Sequence, residues 1–252
     1  MRYTEQNITH LFDLIGNYPG AELQLTEHYK SIGVQKSVWP NQLWAMRRGT
    51  KSAAGYLDFL EQALAENRIP GLAMGNPAKD DKDLLQEARN RQYKIGSWTA
   101  MCHDLTSLKK LPTLANFEIR KVIGRDELKT WLNLANTELM GAERLNEGLF
   151  EFLVHSDQCS FYLGFEGNQA VATAMLFEHN GLGGICLVST KSGFRQRGYG
   201  AQITQACLME AKSRGLERIE IQATTLGKGV YASLGFSDEG EIPVFRINQM
   251  KS

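Results

Sequence analysis

Hydrophobic positions in the second half of the chain switch between two periods with little interruption. Phe117-Glu118-Ile119-Arg120-Lys121-Val122 reads as a strand. Arg125–Leu139 and Ala142–His155 carry apolar residues at helical spacing, the first with Leu128, Trp131, Leu132 and Ala135 on one face. Phe161–Phe165 and Ala170–Phe177 flank Glu166-Gly167-Asn168, whose Gly-Asn step suits a tight hairpin. Gly184–Thr190 is a further apolar strand, and Ala201–Ser213 a helix with Ile203, Ala206, Cys207 and Ala211 in register. Ile219–Ala223 alternates as a strand. Gly227–Leu234 is a short helix that ends at Gly235 and feeds another strand.

The first half is less regular. Tyr29–Trp39 and Leu43–Met46 read as a broken, tryptophan-bearing extended region. Ala53–Asn67 is a helix with Tyr56, Leu57, Leu60 and Leu64 on one stripe. Ile69–Gly75 predicts a short strand, confined by Pro70 to an edge or a strand start. Asp80-Asp81-Lys82-Asp83 opens another helix, with its aspartates matched to the dipole, that ends near Lys94-Ile95-Gly96. Ser97–Leu105 returns as a strand. This tail of helix, glycine and strand echoes Leu226–Ile247, as in a decayed internal repeat. Leu108–Asn116 is the expected linker, which divides the chain into lobes 1–113 and 114–252.

The chemistry concentrates in Phe194-Arg195-Gln196-Arg197-Gly198-Tyr199-Gly200-Ala201, where a strand gives way to a helix. The first N–H groups of a helix lack partners, its dipole favours negative charge, and glycines let an anion approach the backbone. Arg195 and Arg197 add formal charge. The arrangement suits a pyrophosphate held by main chain.

The order R-x-x-G-x-G, helix, I-E-I-Q-A, Y-x-x-L-G-F resembles the acetyl-CoA site of the GCN5-related N-acetyltransferase (GNAT) family. The resemblance runs from about Asn116 to the C-terminus, and the predicted element order there is the family's. It implies a mixed α+β fold, with a GNAT acyltransferase domain in the second half and a degenerate GNAT-like lobe in the first. By the resemblance, Gln196–Ala201 amides hold the pyrophosphate of acetyl-CoA, supported by Arg195. Val188, Ser189 and Thr190 present a free strand edge to its pantetheine arm, and an N–H there can polarise the thioester carbonyl. Tyr231 matches the tyrosine that protonates the departing thiolate, and Glu220 the glutamate that accepts the amine proton in the ribosomal-protein N-acetyltransferase branch. Thr224-Thr225 replaces an asparagine common in the family, which puts one hydrogen bond to the pantetheine arm in doubt. The first half lacks R-x-x-G-x-G, so no acetyl-CoA is expected there.

Composition narrows the partners. The chain has 252 residues, 42% of them hydrophobic, with 28 basic and 28 acidic side chains. That balance provides no global field for nucleic acid or anionic membrane. No apolar run reaches a membrane span, and Met1–Ile15 is too polar for a secretory signal, so a cytoplasmic location is expected. Cys102, Cys159, Cys186 and Cys207 are spaced neither for a metal nor for a disulfide framework and read as reduced thiols. Glu178, His179, His155, Asp157, His103, Trp39 and Trp44 read first as turn, cap or core residues; Glu178 and His179, and the tryptophans, could line an acceptor cleft. No hydrolase triad, zinc-protease or P-loop motif occurs. The expected activity is transfer of acetyl from acetyl-CoA to a small-molecule or peptide amine by direct attack, without metal. The alternative is a GNAT-fold module that binds acyl-CoA without catalysis.

Overall fold

The computed structural model describes residues 3–74, 81–141 and 144–247. Gly75, Asp80 and Ala142, where expected elements begin or end, lie outside the described residues. In the first half α1 (Tyr3–Ile15) precedes β1 (Ala21–Leu25), β2 (Lys30–Val34) and β3 (Gln42–Trp44). Then come α2 (Ala53–Ala65), β4 (Leu72–Met74), α3 (Lys82–Asn90) and β5 (Lys94–Asp104). The second half begins with β6 (Phe117–Lys121), α4 (Arg125–Ala135), α5 (Glu147–Val154), β7 (Cys159–Glu166), β8 (Gln169–His179) and β9 (Leu182–Thr190). It closes with α6 (Tyr199–Ser213), β10 (Arg218–Ala223), α7 (Thr225–Ser233) and β11 (Ser237–Arg246).

All these strands join one sheet in the order β1-β2-β3-β4-β11-β5-β10-β9-β8-β7-β6. The last strand of each half therefore lies inside the other half's territory. β5 pairs antiparallel with β10 on one side and with β11 on the other, and β11 in turn pairs with β4. Around the β5–β11 seam the halves are related by a pseudo-dyad. β1–β2–β3 and β7–β8–β9 are antiparallel runs, β3–β4 and β9–β10 are parallel pairs, and each parallel pair is bridged by a helix, α2 or α6. A shorter helix, α3 or α7, then leads into the exchanged strand. The repeat foreseen for the tail thus extends through the whole first half; among the described residues β6 and one of the two helices α4 and α5 have no counterpart there.

Side-chain alternation on the strands assigns the helices to faces. Trp98 and Ala100 of β5 join α1, α4 and α5 in one core with Trp131, Phe150, Phe161 and Met175. Met101 points the other way, to α6 and α7, and Ile95, six residues away on the same face, packs with α2 and α3. Helix α1, which the sequence reading passed over, lies across β8, β9 and β10; Asn7 Nδ2 donates to Gly183 O at 2.7 Å.

Local chemistry sets the boundaries. Asp81 Oδ1 accepts from Leu84 N at 3.1 Å to start α3, and Asn146 Oδ1 from Leu149 N at 2.9 Å to start α5 at Glu147. The helix expected to run to Leu139 is α-helical only to Ala135 and continues as a π-helix over Asn136–Met140. Pro70 precedes β4, which is flanked by strands on both sides.

Because β5 separates β10 from β11, neither half contains a complete sheet. Residues 1–111 and 112–252 expressed apart should be insoluble or non-cooperative, and co-expressed should copurify as a 1:1 pair. A monomeric, cooperatively melting 112–252 fragment would contradict the exchange.

Candidate functional site

Strands β9 and β10 run together only from Gly183↔Ile219 to Ile185↔Ile221 and then part. Beyond Cys186, β9 keeps β8 on one side and has lost β10 on the other, while Gln222 and Ala223 pair with β5. The parted edge contains a bulge. Thr173 faces Ser189 but Met175 faces Cys186, so Leu187 and Val188 together oppose Ala174. Leu187 has φ 52, a left-handed conformation that costs a non-glycine residue about 1–2 kcal/mol. Val188 packs towards α6, Ser189 is buried against Thr173 with the hydroxyls 2.7 Å apart, and Thr190 ends the strand.

The loop after β9 makes a 3-10 turn at Ser192–Phe194 and reaches α6 through two left-handed residues, Gln196 at φ 63 and Gly198 at φ 83. A Cβ on Gly198 would combine that φ with a 3.4 Å contact to Leu114 Cδ1, and one on Gly200 would lie 3.4 Å from Thr190 Oγ1. Unlike α2, α3, α5 and α7, helix α6 has no side-chain cap. Among the described residues, no protein acceptor takes the main-chain N–H of Gln196, Arg197, Gly198, Tyr199, Gly200 or Ala201. Six consecutive donors are thus open to an anion.

The two arginines are already engaged. Arg195 donates to Thr190 O at 3.2 Å and to Glu138 at 2.9 Å, a carboxylate of the π-helix that is only 7% exposed. Arg197 pairs with Glu166 at 3.2 Å and lies over the Phe194 ring. Much of their charge is offset, so the pull on an anion comes chiefly from main chain. Tyr199 stacks on Phe117 at 4.3 Å between centroids and ties the loop to β6.

Tyr231 is buried on the α6–α7 face, and its phenol has no hydrogen-bond partner among the described residues. Burial pushes its pKa well up, with the nearby Cys207 and Cys186 thiols adding to the effect. Glu220 lies on the opposite face of β10, 2% exposed, between Cys102 of β5 and Gly184 of β9, with Arg218 Nη2 4.0 Å away. The two expected catalytic side chains therefore flank the parting of the strands from opposite faces. Gln222, half-buried on the Glu220 face one step beyond the last β9–β10 pair, was not anticipated.

The other candidates are placed away from the gap or within the core. Thr224 caps α7 by accepting from Gly227 N at 3.3 Å. Glu178 and His179 end β8 at the far end of the sheet, beside His10 and Gln158. His155 caps α5, Asp157 O accepts from Arg214, and His103 Nε2 contacts Leu234 O at 3.0 Å. Trp44 is core, its indole donating to Thr9 Oγ1 at 3.0 Å, and Trp39 packs on Phe150. Glu138, Glu166 and Thr173 had no sequence signal, since each acts through a partner distant in the chain.

The acetyltransferase (GNAT) family model matches residues 125–236, and that segment is a GNAT domain. Its class is that of acyltransferases. Along nearly the whole chain the fold is that of solved GCN5-related N-acetyltransferases. One from Kribbella flavida has a TM-score of 0.67 at 16% identity, covering 96% of this chain and 95% of that one. One from Sphaerobacter thermophilus has a TM-score of 0.66 at 14% identity, covering 97% and 91%. A functionally unknown conserved protein from Staphylococcus epidermidis has a TM-score of 0.66 at 13% identity, covering 92% and 95%. At these identities the likeness defines the fold alone. No curated protein matches the sequence. Among the described residues no helix is long and apolar enough to cross a membrane, and no group of three metal-ligating side chains occurs.

All four cysteines are free thiols. Burial pushes Cys102 and Cys159 up to about 12, and Cys186, Cys207 and the phenols of Tyr56, Tyr93, Tyr162 and Tyr231 well above their ordinary values. Unfolded thiols ionise near about 8.5 and phenols near about 10. Above those values the folded protein holds more protons than the unfolded chain, so stability is complete below about pH 8 and is lost as pH rises towards the folded values. Urea midpoints at about pH 7.5, 9 and 10.5 should fall in that order; a flat series would contradict the burial of these groups.

Proposed function

We propose that the protein is an N-acetyltransferase that moves acetyl from acetyl-CoA to a primary amine by direct attack, at one site per chain. One observation carries the reading: the unpaired edge of β9 runs straight into six unpartnered amides at an uncapped helix start. An edge of that kind can take the amide-bearing pantetheine arm as an added strand, and the amides beyond it can take the pyrophosphate. Residues 114–252 would supply this machinery, with 1–113 as a degenerate lobe that is either acceptor-side or structural. The corresponding loop of the first lobe is closed: Ser52 Oγ accepts from Gly55 N at 3.1 Å at the start of α2.

The neutral amine nitrogen attacks the thioester carbonyl carbon and forms a C–N bond, the C–S bond breaks, the nitrogen gives up one proton to become the amide, and the thiolate takes one proton. Tyr231 is the proposed donor for the last step, because a phenol is uncharged at neutral pH and carries a proton to give; burial, which raises its pKa, makes that proton harder to release until the thiolate forms beside it. An ammonium must first lose a proton; Glu220 is the proposed acceptor, through water. Burial of Glu220 beside Arg218 favours a second reading, in which the carboxylate is structural and the protein binds acyl-CoA without turnover. CoA release measured over amino acids, polyamines, aminoglycosides and peptide N-termini separates the two.

Calorimetry should give one acetyl-CoA per chain. Gly198→Glu and Gly200→Glu should each abolish binding, by placing bulk and negative charge among the open amides. Two sites, or unchanged affinity in both variants, would overturn the assignment.

Tyr231→Phe removes a phenol without a hydrogen-bond partner, so the fold should be unaffected. It should lower kcat about 10²-fold with acetyl-CoA affinity nearly intact. An unchanged kcat would assign the ring to packing.

A further inference from the structure

The left-handed turn at Leu187 persists because buried groups on neighbouring elements hold it. Thr173 Oγ1 donates to Leu187 O at 3.0 Å and meets Ser189 Oγ at 2.7 Å, so with its single proton given to the carbonyl it accepts from Ser189. Ala174, left opposite the extra residue of β9, gives its carbonyl to the Trp131 indole N–H at 3.2 Å. Thr173 and Trp131 are wholly buried and Ser189 nearly so, which leaves water little access to compete for these bonds.

A trans peptide is planar, with the carbonyl of one residue and the N–H of the next pointing in opposite directions. Thr173 draws the Leu187 carbonyl towards β8. The same plane therefore turns Val188 N–H away from β8, to the side where β10 has parted. We infer that Thr173 is a positioning residue for acyl transfer, which through the Leu187 carbonyl aims Val188 N–H at the thioester oxygen. The inference rests on the proposed acetyl-CoA reading of the β9 edge. When the amine adds, that oxygen takes up the negative charge of the tetrahedral intermediate, and a donor already fixed in place stabilises it without reorganisation. Thr173 does not touch the substrate. Its contribution lies in fixing the orientation of a peptide group that a strained leucine would otherwise relax.

The test uses the full chain and [1-13C]acetyl-CoA, with affinity from calorimetry and polarisation from the carbonyl stretch of the bound thioester. In the wild type, binding should lower the stretching frequency relative to free acetyl-CoA. Thr173→Val keeps the shape and removes the hydroxyl. It should bind acetyl-CoA within about threefold of the wild type, lose most of the frequency shift, and turn over roughly tenfold or more slowly with any accepted amine. Thr173→Ser should restore both shift and rate. A Thr173→Val protein that binds with an undiminished shift would overturn the positioning role. Should that variant not fold, Ser189→Ala, which frees the Thr173 hydroxyl from one partner, must give a smaller but measurable loss of shift, and an unchanged shift there would overturn the role equally. Absence of acetyl-CoA binding by the wild type is a different result: it removes the site reading, and the inference with it.

Discussion

The pairing of β5 with β11 is the contact on which the rest of the molecule depends. It joins two strands that each belong, by chain order, on the other side of the seam, and it runs from Lys94↔Arg246 to Cys102↔Ser237. Its antiparallel ladder makes the eleven strands one sheet, and so fixes where both layers of helices can pack. The site inherits its rigidity from this arrangement. β10 parts from β9 beyond Ile221, yet Gln222 and Ala223 are held by Ala100 and Thr99 of β5. Without a strand from the first half on its far side, β10 would have no reason to stay straight once β9 leaves it.

Two devices keep the gap open. On one wall β5 satisfies the backbone of β10. On the other, an extra residue in β9 bends the strand, with Thr173 and Trp131 taking up the main-chain groups that the irregularity would leave unpaired. The loop beyond is held by side chains on other elements, Glu138 on Arg195, Glu166 on Arg197 and Phe117 on Tyr199. Each of these contacts restrains a side chain and leaves the amides of 196–201 free. Side chains position the loop, and its main chain remains available to a ligand.

The second half was legible because its strands and helices obey their periods and the loop into α6 carries Gly198 at a left-handed step and Gly200 at a close approach to Thr190. The first half was legible in pieces. Helix α1 does carry the helical signal, with Ile8, Leu11, Phe12 and Ile15 at i, i+3, i+4 and i+7; only the burial of Asn7 through its bond to Gly183 lay beyond the periodicity. The exchange of β5 and β11 had no local signal, since hydrophobic alternation marks a strand and says nothing of its neighbours. The bulge was hidden for a different reason. Leucine is not a residue that announces a left-handed backbone, and a threonine in a strand is ordinary. What the periodicity could not reveal at Glu220 was its cover: α1 lies over that face of the sheet, so a residue that alternation placed towards solvent or cleft is buried.

The exchanged seam also shapes the protein's biogenesis. β5 leaves the ribosome with both of its edges unpaired, because its partners are Arg218–Ala223 and Ser237–Arg246. At ordinary elongation speeds the intervening chain takes on the order of ten seconds to appear. During that interval the nascent first half carries an unpaired strand that bears Trp98, Met101 and Cys102 and is open to pairing with another edge. The sheet can close only when β11 is made, so folding of both halves waits on Ser237–Arg246.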